Sequence, residues 1–581
     1  MPQSKQTPRV WSDAIRGSEI LANWTKLGIS AVFLWLSIGI VLGIAVGGWW
    51  FLHGTSSLER RLWVHHIRNG IGIGGRIADL PNPNGSGARI QVPKEQVQRY
   101  TRRSYETVSQ RFQEGFLLGS ILTIVATVTA AIFLRQSGRT ATEDQHVRGA
   151  TLAPVDSVIA QTKASISAYD FTLAGVPIFR DTETDHVLVC GAPGSGKGVA
   201  IKELLDQIRA RGDRAILYDP SGEYVQVYYR HGKDVLLNPL DARSPAWTLW
   251  GEVREAYDYA SLAASIIPEN EKVNDPFWRE GPRGLFEAVA LRLAERGQAT
   301  NAAFRHMISI APLDELFALV KGTEAAPAID PAAEKMAIGV RATVSTKIRA
   351  WAYLPDPGGE EQAFSVRRFV ENETGDAWLF LTSRRDQHAF LRPLLSLWCD
   401  QAAASILSLA PDLKRRFWVV MDEVASLQEL PALTPDGGLL TMSRKHGGAT
   451  ILGLQDIGQL RRLYGVYGAQ SISGSCLTRL MLRSVEHATA EWASQSLGEQ
   501  EVNEATESLS MGPHDSRDAV NLQRRVVKRP IVLPSEIMNL PKLCGFLKLP
   551  GGYPVTKVQL DLKQRKEVAP IYLSRHGEVV F

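Results

Sequence analysis

The sequence predicts an α/β protein with three parts: a P-loop nucleotide-binding core of parallel strands, an all-α domain inserted into it, and two N-terminal transmembrane helices. Three observations predict it. Two long uncharged runs lie within the first 134 residues. A glycine-rich loop ending in Gly-Lys-Gly stands between a short apolar run and an amphipathic one. A second apolar run, closing on Asp422-Glu423, comes 225 residues after Lys197, many more than a minimal P-loop sheet needs.

The anchor comes first. The 581 residues leave room for about four domains. Apolar residues are 44% and charged residues 22%, which excludes disordered, collagen-like, coiled-coil and polytopic membrane chains. Within that average, Leu27 to Leu52 carries no Asp, Glu, Lys or Arg. As a helix that run is ~39 Å long, enough to cross a bilayer with some tilt. Trp24, Trp49 and Trp50 mark its edges, as interfacial tryptophans do. Gly115 to Leu134 is a second uncharged run, between Arg111 and Arg135. The alternative, a buried core helix, remains open for each run. A signal peptide does not fit, because the first run is too long and a second follows.

Two spans put both chain ends on one side. The loop between them, residues 53–114, holds ten Lys/Arg against five Asp/Glu, and the positive-inside rule alone would make it cytoplasmic. If the 447 residues after Leu134 need ATP they are cytoplasmic, and on that condition the loop is assigned to the periplasm despite its charge. A reporter near Gly85 that proved cytoplasmic would reverse this orientation. Gly70, Gly72 and Gly75 match G-x-G-x-x-G, but no apolar strand precedes them and no dinucleotide unit surrounds them. Asn82-Pro83-Asn84-Gly85 is turn chemistry. Cys190, Cys399, Cys476 and Cys544 form no C-x-x-C pair, which leaves zinc and a disulfide framework without support.

The core follows. His186 to Cys190 reads as a buried strand, Gly191-Ala-Pro-Gly-Ser-Gly-Lys-Gly198 as the loop, and Val199 to Arg211 as a helix stopped by Gly212. Strand, glycine loop and helix together are the setting a P-loop requires. Gly191, Gly194, Ser195, Gly196, Lys197, Gly198 and Val199 are the candidate phosphate-binding residues. Their backbone N–H groups can turn inward on phosphate oxygens, the helix N-terminus adds positive potential, and Lys197 reaches for the β- and γ-phosphates. Gly198 departs from the usual Ser or Thr, so no hydroxyl is available there for Mg²⁺. The alternative is a plain glycine-rich turn.

Phe417 to Met421 reads as a second buried strand, ending in Asp422 as candidate Mg²⁺ ligand and Glu423 as the residue that polarises water. An exposed acidic pair opening a helix is the other reading. Thr450 to Leu454 is a third, and Gln455 at its end is placed to sense the γ-phosphate or orient water, or else is a surface residue. Further strands are expected at Arg214 to Asp219, Asp234 to Leu237 and Ala377 to Thr382. Between Trp247 and about Asn372 the pattern is helical, with Leu285, Phe286, Val289 and Leu293 on one stripe and similar runs at Leu313 to Val320 and Ala332 to Lys347. This reads as an inserted all-helical lobe. Arg392 to Leu409 reads as a long core helix with Pro393 in its first turn.

With these residues in place, the chain resembles the coupling proteins of type IV secretion and conjugation, in their TraD- and TrwB-like branch. The likeness rests on the 191–198 loop, Arg211 to Glu223 (Arg-Gly-Asp-Arg-Ala-Ile-Leu-Tyr-Asp-Pro-Ser-Gly-Glu), Leu237 to Arg243, Asp275-Pro-Phe-Trp278, Arg392-Pro-Leu394, Asp422-Glu423, Gly453-Leu-Gln455 and the stretch Leu533 to Gly552. The resemblance implies a RecA/FtsK-like motor with an all-α domain, acting as a hexameric ring that hydrolyses ATP with Mg²⁺. It implies binding of single- and double-stranded DNA with little sequence preference, and docking of a relaxase-bound strand onto the secretion channel. It implies an inner-membrane location with the ATPase in the cytoplasm. A Gly-Lys-Gly ending occurs in parts of that family. An arginine finger is expected from a neighbouring subunit, and Arg479 is the best positional match, the alternative being an ordinary surface ion pair. Lys347 is a second cation expected to point toward phosphate.

The organisation expected is a cytoplasmic N-terminus (1–26), a first span (27–52), a periplasmic loop (53–114) and a second span (115–134). A linker (135–180), the first part of the P-loop domain (181–247), the all-α domain (248–372) and the second part with C-terminal strands (373–581) complete it. Two other readings compete: a nucleotide-binding membrane receptor or scaffold, motivated by Gly198, and an FtsK-like chromosome translocase, which usually has four spans and a DNA-reading C-terminal module. A membrane AAA-type protease is disfavoured because the sequence has no H-E-x-x-H, and an ABC half-transporter because no signature loop follows. The net charge of +4 divides unevenly: residues 135–581 hold 51 basic and 54 acidic groups, so DNA contact must come from local basic patches.

Overall fold

An uncharged run in a bilayer can satisfy its backbone only as a helix, and the described parts of both runs are helical. The computed structural model describes residues 33–580, apart from 35, 83, 85–86, 143–144, 166–170, 270–274, 356, 359–362, 511–518 and 576–578. The expected N-terminus, the start of the first span and Gly85 lie outside the described residues. The chain divides into residues 1–145 with 503–525, and residues 146–502 with 526–581.

In the first unit, Leu36–Gly54 and Lys94–Thr129 are long and apolar enough to cross a membrane, and only 17% and 11% of their apolar windows are buried. A soluble core helix would be mostly buried, so these faces await a different apolar surrounding. The helices meet through glycine. A Cβ on Gly43 would lie 2.7 Å from the Gly119 carbonyl oxygen, and one on Gly47 would lie 2.5 Å from that of Gly115. Small residues at four-residue spacing let two apolar helices bring their backbones together. Thr123 Oγ1 lies 2.8 Å from the Gly39 carbonyl oxygen across the pair. The intervening segment is folded: helix Ser57–Gly70 opens on a capping box between Ser56 and Glu59, and Ile77–Pro81 pairs with Arg89–Pro93. Leu62, Leu80, Val92 and Val97 form its small core. The second uncharged run lies in the later part of one helix, Lys94–Thr142, that begins well before it.

The second unit is built on a ten-stranded sheet. Its strands are β1 (Leu152–Ala153), β2 (Val187–Cys190), β3 (Arg214–Asp219), β4 (Val235–Leu237), β5 (Trp378–Thr382), β6 (Phe417–Met421), β7 (Gly448–Leu454), β8 (Thr478–Leu482), β9 (Cys544–Lys548) and β10 (Val555–Gln559). Their spatial order is β1-β10-β9-β8-β2-β7-β6-β3-β5-β4. From β8 to β4 all neighbours are parallel, and these strands are buried on both faces, which is why they read as unbroken apolar runs. The hairpin β9–β10 adds antiparallel to β8 and extends the sheet.

Between β4 and β5 the described chain is helical, with Tyr257–Ile266, Phe277–Glu295, Asn301–Ser309, Leu313–Val320, Glu334–Lys347 and Val366–Glu371 as its α-helices. The lobe is held to the core at a ring cluster. Trp247 meets Trp351 and Trp398 edge-on at 5.8 and 5.7 Å, and Phe286 and Phe304 pack on Trp351. The buried Glu252 carboxylate ties entry to exit: it accepts from Trp247 Nε1 (2.7 Å) and from the amides of Val366 (2.7 Å) and Arg367 (2.9 Å). Burial pushes its pKa up against those donors.

One helix differs from expectation. It starts at His388, not Arg392, and runs to Leu407, so Pro393 is its sixth residue. Residues at the very start of a helix have no intrahelical acceptor, but Pro393 lies past them and forgoes a bond. The four added residues gain anchorage: His388 Nδ1 is 3.0 Å from Ser383 Oγ, and its Nε2 is 3.0 Å from the Ser426 carbonyl oxygen.

His186 enters β2 with a left-handed φ of 59° and is buried. Its Nδ1 accepts from the Thr450 amide (3.1 Å), so the proton is on Nε2, which donates to the Leu440 carbonyl (3.1 Å). Desolvation lowers its pKa from 6.5 to about 4. The unfolded chain therefore takes up a proton that the folded chain refuses. The stabilisation is complete above pH 6.5 and is lost as pH falls towards about 4. The wild type should lose about 3 kcal/mol more than His186→Asn across that window. Urea unfolding at several pH values measures it, and parallel curves for the two proteins would contradict it.

Candidate nucleotide-binding site

A parallel sheet gathers the carboxyl ends of its strands along one edge, and ligands sit where the strand order reverses. Here the order reverses around β2. Cys190 pairs with Leu454, Met421 with both Leu452 and Tyr218, so the ends of β2, β7, β6 and β3 lie side by side. The residues that follow are Gly191, Gln455, Asp422 and Pro220.

The loop after β2 hangs between two neighbours. The Gly191 amide donates to the Leu454 carbonyl (3.0 Å) and the Ala192 amide to that of Arg483 (2.9 Å). Gly194 and Gly196 have φ of 72° and 121°, which side chains resist. A Cβ on Gly196 would also lie 3.0 Å from the Leu543 side chain, while the Leu543 amide donates to the Ser195 carbonyl (2.9 Å). The C-terminal hairpin thus braces the loop. Helix Lys197–Arg211 starts at the expected loop, and Gly212, left-handed at φ 80°, ends it. Gly198 and Val199 lie in its first turn, where the Val199 amide closes on the Gly196 carbonyl (3.0 Å).

Lys197 Nζ reaches across β7 to the end of β6. It donates to the Asp422 carbonyl (2.8 Å) and to Glu423 Oε2 (2.9 Å), and lies 3.5 Å from Asp422 Oδ1. Burial raises the Glu423 pKa, while the Lys197 charge opposes that shift and Gln455 beside it favours the charged form. Among the described residues, the buried Ser195 Oγ, Asp422 Oδ1 and Glu423 Oε1 at this edge make no hydrogen bond, and Asp422 Oδ1 has the Lys197 ammonium 3.5 Å away. Carboxylate oxygens without a hydrogen bond fit a hydrated divalent cation, and the ammonium at the start of the helix fits phosphate oxygens. Gly198 offers no side-chain oxygen, and a Cβ there would meet nothing nearer than Tyr224 Oη at 4.0 Å.

Arg479 is not among the groups that meet Lys197. It lies on β8, and its guanidinium donates to the carbonyls of Cys476 (2.8 Å) and Ser473 (3.0 Å). Its surroundings are a separate cavity of about 360 Å³ with Arg461, Gln470 and Trp492 on its wall. Lys347 does not reach the loop either. It donates to Gln428 Oε1 (2.7 Å) and lines a cavity of about 500 Å³ with Arg279, Arg392 and Arg462, where burial and the Arg392 charge lower its pKa.

Three neighbours of the site escaped the sequence reading: Asp219, Tyr224 and Leu543. The buried Asp219 carboxylate accepts from the amides of Ser221 (3.3 Å), Gly222 (2.9 Å), Tyr224 (2.8 Å) and Val225 (3.1 Å). Burial lifts its pKa to about 6 against those bonds. An acidic residue at the end of an apolar strand was the available signal for Asp219. Leu543 and Tyr224 had none, since their proximity depends on chain pairing.

The family profile described as type IV secretion-system coupling protein DNA-binding domain matches residues 170–561. The chain belongs to the type IV secretion-system coupling protein family. This coupling protein is 30% identical over 560 residues to the coupling protein TraD of Escherichia coli (strain K12), a match spanning 94% of this chain and 76% of TraD. Its fold is similar to the plasmid coupling protein TrwB solved with ADP and Mg²⁺, with a TM-score of 0.66 and 33% identity over 74% of this chain and 98% of that one. TrwB with the non-hydrolysable ATP analogue ADPNP matches equally, at TM-score 0.66 and 33% identity over the same shares. The coupling protein's RecA-like core with its all-α insertion is thus a fold it has in common with TrwB.

Proposed function

We propose that this coupling protein is an inner-membrane, DNA-stimulated ATPase that links a relaxase-bound DNA strand to a type IV secretion channel and helps drive its transfer. One observation carries the reading: in a chain of this family, Lys197, Asp422, Glu423 and Gln455 meet at the ends of adjacent parallel strands. In this reading ATP binds on Gly191, Gly194, Ser195, Gly196, Gly198 and Val199. The γ-phosphate draws Lys197 away from Glu423. Glu423, released from its ammonium, takes a proton from the attacking water, which Gln455 orients. Asp422 would hold Mg²⁺, which when bound offsets the charge of the phosphates.

The motor is read as a hexamer with its ATPase in the cytoplasm, binding DNA without strong sequence preference. The soluble part is slightly acidic, so phosphate contacts fall to clusters such as Arg279, Lys347, Arg392 and Arg462. Arg479, remote from the phosphate loop of its own chain, acts on a neighbour's ATP. Arg479→Ala should keep nucleotide binding and lose about 10³-fold or more in DNA-stimulated turnover. Mixed with Lys197→Ala, it should regain part of the rate, because some interfaces then pair an intact finger with an intact loop. No recovery in any mixture would argue against action between subunits.

The deciding experiment is a mating assay with wild type and Lys197→Ala beside phosphate release from purified protein with and without single-stranded DNA. Abolished transfer and DNA-stimulated release only in the wild type support the motor. Transfer that survives Lys197→Ala removes it, and nucleotide binding without turnover in the wild type favours a receptor or scaffold.

A further inference from the structure

Gly198 and Tyr224 form a pair that the P-loop pattern does not contain. The position after the P-loop lysine ordinarily supplies a hydroxyl for Mg²⁺, and Gly198 has none. Among the described residues, the side chain nearest to where a Gly198 Cβ would stand is that of Tyr224, with its Oη 4.0 Å away. A serine at 198 would place its hydroxyl one bond beyond that Cβ, on the side chain that neighbours the phenol oxygen. The two oxygens therefore compete for neighbouring places at one site.

The phenol is built into this position. Its ring is 1% exposed, and the Tyr224 amide donates to the buried Asp219 carboxylate at 2.8 Å, which fixes the first turn of helix Glu223–Tyr228. Lys202 Nζ sits 5.8 Å from the ring centre. The hydroxyl faces the Asp422 carboxylate. Asp422 in turn has a buried oxygen, Oδ1, that makes no hydrogen bond and has Lys197 Nζ 3.5 Å away. A hydroxyl beside an acidic metal-ligand candidate, at the place where a P-loop hydroxyl is missing, is the same kind of oxygen as the group it replaces.

Building on the Mg²⁺–ATP reading above, we propose that Tyr224 supplies the hydroxyl that Gly198 lacks, so that magnesium-dependent nucleotide binding draws on a phenol from the turn after β3. Packing alone would make Tyr224 important with and without the metal. A role toward the metal separates the two conditions, and it makes residue 198 able to substitute for residue 224.

The test is titration of the full-length protein, in detergent micelles, with a fluorescent ATP analogue across a range of Mg²⁺ concentrations. Tyr224→Phe should leave metal-free affinity unchanged and raise the Mg²⁺ concentration for half-maximal effect by about tenfold. Gly198→Ser in the Tyr224→Phe background should bring that midpoint back toward wild type, since the position has room for the side chain. An unshifted midpoint in Tyr224→Phe overturns the proposal. So does equal weakening with and without Mg²⁺, or a shift that Gly198→Ser fails to reverse. Absence of nucleotide binding by the wild type would instead overturn the underlying ATPase reading.

Discussion

Glu423→Gln should bind nucleotide with near wild-type affinity and hydrolyse it about 10²- to 10⁴-fold more slowly. The amide keeps the shape of the carboxylate and removes its ability to take a proton. Lys197→Ala should lose binding as well as turnover, because its ammonium is the group positioned for phosphate. It should also cost the nucleotide-free protein about 1–3 kcal/mol. Lys197 bridges Asp422 and Glu423, whose side chains are 19% and 13% exposed, and its removal leaves two close carboxylates without that cation. Fluorescent nucleotide binding, phosphate release and urea unfolding on the same three proteins measure all of this. A Glu423→Gln rate close to wild type would remove Glu423 from the chemistry.

Gly453→Ala should be nearly as damaging, although no reacting group changes. The added Cβ would lie 1.9 Å from the Asp422 carbonyl oxygen and 2.6 Å from its carbon, backbone atoms that cannot rotate away. That carbonyl is the one that receives the Lys197 hydrogen bond. The methyl group must therefore part β7 from the end of β6 or move the Asp422-Glu423 turn off Lys197. Overpacking of this kind costs about 1–3 kcal/mol, and a displacement near 1 Å at reacting groups costs about 10² in rate. Urea unfolding and steady-state turnover check both figures. A stable and fully active Gly453→Ala would show that the turn tolerates more movement than its packing indicates.

The two predictions differ in how far the sequence discloses their basis. Lys197, Asp422 and Glu423 stand out because each closes or follows an apolar run at a recognisable strand end. Gly453 also stands in the sequence, but its reason does not. The contact that demands glycine comes from a residue 31 positions earlier, brought alongside by the pairing of β6 with β7. Arg479 shows the same limit. Its candidacy comes from the resemblance, whereas its place on β8 and its carbonyl contacts with Ser473 and Cys476 depend on how the preceding helix meets the sheet. Pro393 reads as a helix start by general preference, and the His388 contacts with Ser383 and Ser426 carry the helix further back.

The features legible in the chain alone are those that neighbouring residues decide. The uncharged runs, the strand–glycine loop–helix, the apolar strands with acidic ends and the helical stretch between β4 and β5 each arise from local composition or short periodicity. What required the folded chain is every relation across the sheet. These include the position of β7 between β2 and β6, the reach of Lys197 to Glu423, the bracing of Gly196 by Leu543, and Tyr224 opposite Gly198. Parallel strands are joined by long crossovers, and the hydrophobic pattern of a strand buried on both faces says that it is inside without naming its neighbours. The chemistry at the strand ends is written locally, and which ends meet is settled by packing.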